Sequence, residues 1–313
     1  MADPKRLLVV LDPTVEEQPA LARAAWLAER IGAALELFVC YYDQYLSGER
    51  FFDSSGLERA RRTVVENQRK RLEELARQLT EEGLTVSMDA RWGHPLDQGI
   101  VRKATETRPI MVVKDTHYHP TLKRALFSNT DWNLIRACPV PLLLVKPHET
   151  SSVPRIIAAV DPVHAHDKPA ELDHAIMTLA TELSSAVEGR LHVFHAFDPA
   201  PAIAGAADSM ATPISVPVRE LTEALEQRHR EAVEQLIAGY PVERENLHIH
   251  QGVPQELLIS LAQHVRADMV VIGSVSRSRF KRAFIGSTAE RVLDRLPCDL
   301  IIVKPAGFET PEH

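Results

Sequence analysis

Gly273-Ser-Val-Ser-Arg-Ser-Arg-Phe-Lys-Arg-Ala-Phe-Ile-Gly286-Ser287-Thr288 lies between an apolar run, Met269-Val-Val-Ile272, and an apolar-periodic segment, Ala289 to Leu296. The run predicts a buried strand and the segment a helix. Gly273 at the strand end lets the backbone turn sharply and approach a ligand. Gly286 leaves the first N–H groups of the helix unobstructed. Those groups and the helix dipole favour an anion, most often a phosphate. Ser287 and Glu290 form an S-x-x-E capping box that marks the helix start. Arg277, Arg279, Lys281 and Arg282 crowd the intervening loop, either as phosphate partners or as a solvated basic face. The stretch reads as a strand–loop–helix cradle for a nucleotide.

Outward from this stretch, the chain repeats itself. Leu7-Leu-Val-Val-Leu-Asp12-Pro13 recurs as Ile156-Ile-Ala-Ala-Val-Asp161-Pro162, and Gly93-His-Pro95 as Gly252-Val-Pro254. Lys123-Arg-Ala-Leu-Phe127 recurs as Lys281-Arg-Ala-Phe-Ile285, and Pro139 to Pro147 as Pro297 to Pro305, both ending Val-Lys-Pro. The order is the same in both halves, so one fold is written twice. This predicts two domains, 1–147 and 155–313, joined by a polar, proline-bounded linker, 148–154. In each half, short Val/Ile/Leu runs alternate with helical segments, as in a doubly wound α/β domain with a parallel sheet. Ligands in such sheets bind beyond the strands' C-terminal ends, where Asp161 and Gly273 stand. The runs Leu142–Val145 and Leu300–Val303 read as apolar edge strands, which invite pairing; the simplest cover for each is the other.

Gly273, Ser276, nine residues and then Gly286-Ser287, with Asp161 ending the half's first strand, resemble the universal stress protein family. The tandem length, and Thr130-Asp-Trp132 before Cys138-Pro-Val-Pro, resemble its two-domain E type. The resemblance covers essentially the whole chain. It implies two Rossmann-like domains, each a five-stranded parallel sheet of order 3-2-1-4-5. It also implies ATP, with or without Mg, as the ligand and a role in stress survival. Carried over, Asp161 contacts the adenine, and Gly273, Ser276, Gly286, Ser287 and Thr288 line the ribose and phosphates. Ser276 departs from the family's glycine. A serine held at positive φ there costs on the order of 1 kcal/mol and its side chain crowds the phosphates. The first half departs further, with Asp115, Tyr118 and Ser128 at the three glycine positions and Asp131 in the next helix's first turn. An acid there suits the helix dipole and repels a phosphate. The first half is expected to bind no nucleotide in the family's manner, and Asp12 reads as a strand-end turn residue.

Composition bounds the alternatives. The first 150 residues hold 21 Lys+Arg and 21 Asp+Glu, and the remainder 15 and 22, giving the net −7. Neither half is a basic platform, which disfavours DNA or RNA as a partner. Apolar runs are strand-sized, so no membrane insertion is expected, and the N-terminus runs into a strand rather than a signal peptide. Three dispersed cysteines, Cys40, Cys138 and Cys298, suit a reduced, cytoplasmic setting and structural roles. The pairs His117/His119, His164/His166 and His248/His250 have metal-ligand spacing, yet a site needs three or four convergent ligands, so no metal is assigned. His164 and His166 follow Asp161 closely enough to fringe its pocket. No G-K-[ST] lysine or nucleophile elbow occurs, which favours a nucleotide binder over an enzyme. Two readings stand beside it: a slow ATPase, and a binding or scaffold module whose first half takes an apolar or amphipathic ligand or a protein.

Overall fold

The computed structural model describes residues 5–46, 54–119, 124–126, 128–163, 171–201, 203–204, 218–274, 295–308 and 310. The first half runs β1 (Arg6–Val10), α1 (Pro19–Ile31), β2 (Ala34–Tyr41), α2 (Ser54–Glu81), β3 (Val86–Trp92), α3 (Leu96–Thr107) and β4 (Met111–Asp115). A hairpin of β5 (His117–His119) and β6 (Arg124–Leu126) follows, then α4 (Asn129–Ala137) and β7 (Leu142–Val145). The second half runs β8 (Arg155–Ala159), α5 (Glu171–Ala186), β9 (Arg190–Phe197), α6 (Val218–Ile237), β10 (Leu247–Gln251), α7 (Pro254–His264), β11 (Met269–Gly273) and β12 (Asp299–Val303).

Each half forms a parallel sheet of order 3-2-1-4-5, and the two sheets join into one of ten strands, β10-β9-β8-β11-β12-β7-β4-β1-β2-β3. The join is antiparallel, with Leu300 opposite Leu144, Ile301 opposite Leu143 and Ile302 opposite Leu142. These are the apolar edges identified in the sequence. Pairing them removes two exposed rows of N–H and C=O groups.

The strands read as continuous apolar runs because both faces of the sheet are covered. Along β1, Leu7 and Val9 belong to a core shared with α1, α2, α5 and α6, whereas Leu8 and Val10 belong to one shared with α3, α4 and α7. Helix α1 shows how sequence becomes packing. Pro19 opens it, and Gly32 closes it in a left-handed conformation (φ 65°), its N–H bonded to Ala28 O. Ala20, Ala24, Leu27 and Ala28 repeat at helical spacing and are all buried. Replacing Leu27 by alanine there costs about 2–5 kcal/mol.

One sequence expectation needs correction. The sequence around His117 and His119 reads as a loop near a strand end; it instead pairs as the hairpin, with Tyr118 opposite Ala125. His117 and His119 therefore lie on a strand, not in a loop. The helix expected from Ala289 lies outside the described residues except at its end. Among the described residues no helix is long and apolar enough to cross a membrane.

Candidate functional site

In the second half, β8 and β11 are parallel neighbours, with Ile272 opposite Ala159 at their last described pairing. The chain leaves β8 toward β9 on one side, while β11 leads to β12 on the other, so the strand order reverses here. This is the crevice where ligands of doubly wound sheets bind. Asp161 and Gly273 both border it, as expected. Ser276, Gly286, Ser287 and Thr288 lie outside the described residues, as do His164 and His166.

Helix α5 shapes this crevice. Its Asp173, 1% exposed, accepts the Asp161 N–H through Oδ1 at 2.9 Å and so fixes the end of β8. A Cβ placed on Gly273 would lie 2.6 Å from Leu172 Cδ2 and 3.1 Å from Ile176 Cδ1. Among the described residues the glycines at positive φ are Gly32, Gly83, Gly252 and Gly307, and Gly273 is not among them. Glycine at Gly273 thus lets α5 pack close against the strand, a reason the sequence did not disclose.

Behind Asp161 stands a histidine pair. His195 Nδ1 lies 3.0 Å from Val160 O, and its Nε2 lies 2.8 Å from His229 Nδ1. A carbonyl only accepts, so Nδ1 of His195 carries the proton and Nε2 accepts from His229. Phe197 stacks on His229 at 4.5 Å. Burial, with His195 adding to it, holds the His229 imidazole below its usual pKa, while Asp161 opposes the shift. Sequence reasoning missed both residues. Their signal was weak, because they sit 34 residues apart on different elements.

On the opposite face, His192 Nδ1 and His248 Nε2 lie 3.1 Å apart. Burial lowers the His192 pKa to about 4, with His248, Arg155 and Arg190 adding to the shift. Among the described residues, no group of three or more His, Cys, Asp or Glu is placed to hold a metal ion. The three cysteines are free and buried, and burial pushes the Cys40 and Cys138 thiols up to about 11, away from reactivity.

The first half has the same crevice between β1 and β4, where Val10 stands opposite Lys114. Its contents differ. Asp12 accepts the Thr14 N–H at 2.8 Å and its hydroxyl at 2.6 Å, the expected strand-end turn. Asp115, in place of Gly273, accepts the Ala20 N–H at the start of α1. It takes the N-terminal position an anionic ligand would favour. Burial raises the Asp115 pKa to about 7, the Ala20 N–H and Lys114 pull it down, and Asp12 and Asp299 add to the rise. Asp131, fully buried, forms the reciprocal capping box of α4 with Ser128 and pairs with Lys114 at 2.8 Å. Three carboxylates therefore border the first crevice, and they oppose a polyphosphate.

A model of the universal stress protein family matches residues 4–146 and again 153–304. Universal stress protein E of Escherichia coli K12 is 28% identical over 320 aligned positions, covering 99% of this chain and 97% of that one. A putative universal stress protein from Pseudomonas aeruginosa is 30% identical, with a TM-score of 0.74 over 96% of this chain and 94% of that one. A protein of unknown function from the same species gives 29% identity and the same TM-score over 96% and 93%. With the family matched in both halves and the doubled 3-2-1-4-5 sheet in place, the chain belongs to the universal stress protein family, with two domains in tandem.

Proposed function

We propose that the second domain of this stress-response protein binds an adenine nucleotide, ATP with or without Mg, and that the first domain serves as its scaffold. One contrast supports this reading above others. At the same place in the fold the second domain carries Gly273, and the first carries Asp115, whose carboxylate reaches the N-terminus of α1. At that one position the second domain carries no carboxylate. Its sequence continues into Gly286-Ser287-Thr288, three residues suited to present N–H groups to phosphate. Asp161 would hold the adenine, and Gly273, Ser276, Gly286, Ser287 and Thr288 would line the ribose and phosphates. The absence of a G-K-[ST] lysine from the sequence favours a sensor over an ATPase.

The purified protein, denatured and analysed for small molecules by mass spectrometry, tests the reading. Adenine nucleotide released from wild type and absent from Asp161→Ala supports it. Release of an apolar compound with no nucleotide, in wild type and variant alike, favours the scaffold reading. Steady phosphate release from added ATP, lost in Gly286→Asp, would make the protein a slow ATPase.

A further inference from the structure

A Val-Lys-Pro repeat ends each domain. Its two lysines reach across the joint in opposite directions. Lys146 Nζ donates to Leu296 O, in the second domain, at 2.7 Å. Lys304 Nζ donates to Arg136 O, in the first domain, at 3.2 Å. Arg136 is in the last turn of α4, where carbonyls lack partners within the helix and the dipole favours a cation. Thr310 adds a hydroxyl to the next carbonyl, Ala137 O, at 3.2 Å. The C-terminus of α4 is thus capped from the other domain.

Lys304 makes a second contact, and the two domains differ here. Its Nζ donates to Ser274 Oγ at 3.1 Å, with the Phe308 ring at 4.7 Å. Ser274 is the residue after Gly273, and its N–H is held by Val303 O at 2.9 Å. In the first domain the matching residue is Thr116, and its hydroxyl turns to Val145 O on the neighbouring strand at 2.9 Å. Lys304 is only 8% exposed. A buried ammonium needs its acceptors, so losing one strains its hold on the other. Burial has already brought the Lys304 pKa down to about 8, close to neutrality.

We propose that Lys304 is a coupling residue: it ties the Gly273–Ser274 turn of the second domain to the C-terminus of α4 in the first, so that displacement of Ser274 loosens that helix end. The link from Lys304 to α4 stands on these contacts alone. That a ligand is what displaces Ser274 rests on the nucleotide reading.

The test is amide hydrogen exchange of the full chain, read by mass spectrometry over Ile135 to Pro139. Ser274→Ala removes a single oxygen and is the mild probe; Lys304→Met is the severe one. Coupling predicts about tenfold faster exchange at this helix end in Ser274→Ala, unchanged exchange in α1, and no further increase when Ser274→Ala is added to Lys304→Met. Unchanged exchange in Ser274→Ala, or effects that multiply in the double variant, would overturn it. Mg–ATP forms the second arm. Calorimetric binding with altered α4 exchange in wild type, and with unaltered exchange in Lys304→Met, supports ligand-driven coupling. Binding with no change at α4 in wild type overturns it. Absence of binding counts against the nucleotide reading, and the Ser274→Ala arm then decides the coupling by itself.

Discussion

Replacing Arg23 by methionine tests how the two domains are held. Arg23, on α1, pairs through Nε with Asp299 Oδ2, at the start of β12, at 2.8 Å. The side chains are 7% and 0% exposed. Arg23 also donates to His148 O at 3.1 Å, while Asp299 accepts the Lys146 N–H at 2.9 Å and lies 3.4 Å from His148 Nδ1. Burial pushes the Asp299 pKa up to about 6, against the pull of Arg23 and His148. At pH 8 the carboxylate is ionised, and removing its buried partner costs about 3–5 kcal/mol. At pH 5 a group with this pKa is about 90% protonated, so Arg23→Met then loses little beyond a hydrogen bond and stem packing, about 1–2 kcal/mol. The sign follows from linkage. The folded pKa lies above the unfolded one, so acidification from about 6 toward 4 favours the folded state, and more so once Arg23 is gone. Urea unfolding followed by tryptophan fluorescence in a Trp92→Phe, Trp132→Phe background reports on this joint through Trp26, whose ring lies 5.8 Å from the Arg23 guanidinium. A cost near 4 kcal/mol at pH 8 that falls by about 2 at pH 5 is expected. An equal cost at both pH values, or none, would refute the reasoning.

Three further outcomes are expected. Gly273→Ala drives a methyl into Leu172 and should lower stability by about 1–3 kcal/mol, with less than additive loss when combined with Leu172→Ala; thermal unfolding at wild-type midpoint would contradict this. The pair His192/His248, with both pKa values below the unfolded one, should contribute fully above pH 6.5. That contribution should be lost as pH falls from 6.5 toward 4, and the urea midpoint of His248→Gln should show a shallower pH slope. Asp115→Asn keeps an acceptor for the Ala20 N–H and removes a carboxyl raised to about 7, so it should raise stability by about 1 kcal/mol at pH 8 and by less at pH 5. Equal urea midpoints for this variant and wild type at pH 8 would count against the crowding of carboxylates in the first crevice.

Much of the architecture could be read from the sequence because it depends on local patterns. Leu7-Leu-Val-Val10 is apolar without alternation because both faces of β1 are packed, and its recurrence at Ile156 announced the second sheet. The pairing of β7 with β12 followed from two apolar edges. Contacts between distant residues were not legible. Arg23 and Asp299 meet only because ten strands share one sheet, and neither residue carries a mark of burial in its own sequence context. The packing role of Gly273 was hidden for the same reason, since Leu172 and Ile176 reach it through the tertiary fold. His195 and His229 went unnoticed because attention to histidines two apart follows strand periodicity, whereas this pair spans a strand and a helix. The repeat alignment placed Asp115 and Asp131 correctly in the first crevice, but not the Ala20 N–H and Lys114 that hold them.

Calorimetric titration of the full chain with Mg–ATP, beside Gly286→Asp, tests the central claim most directly. The account predicts one site per chain, in the second domain, abolished by an aspartate whose carboxylate repels a phosphate at the helix start. No binding at millimolar ATP, or binding that survives Gly286→Asp, would contradict it.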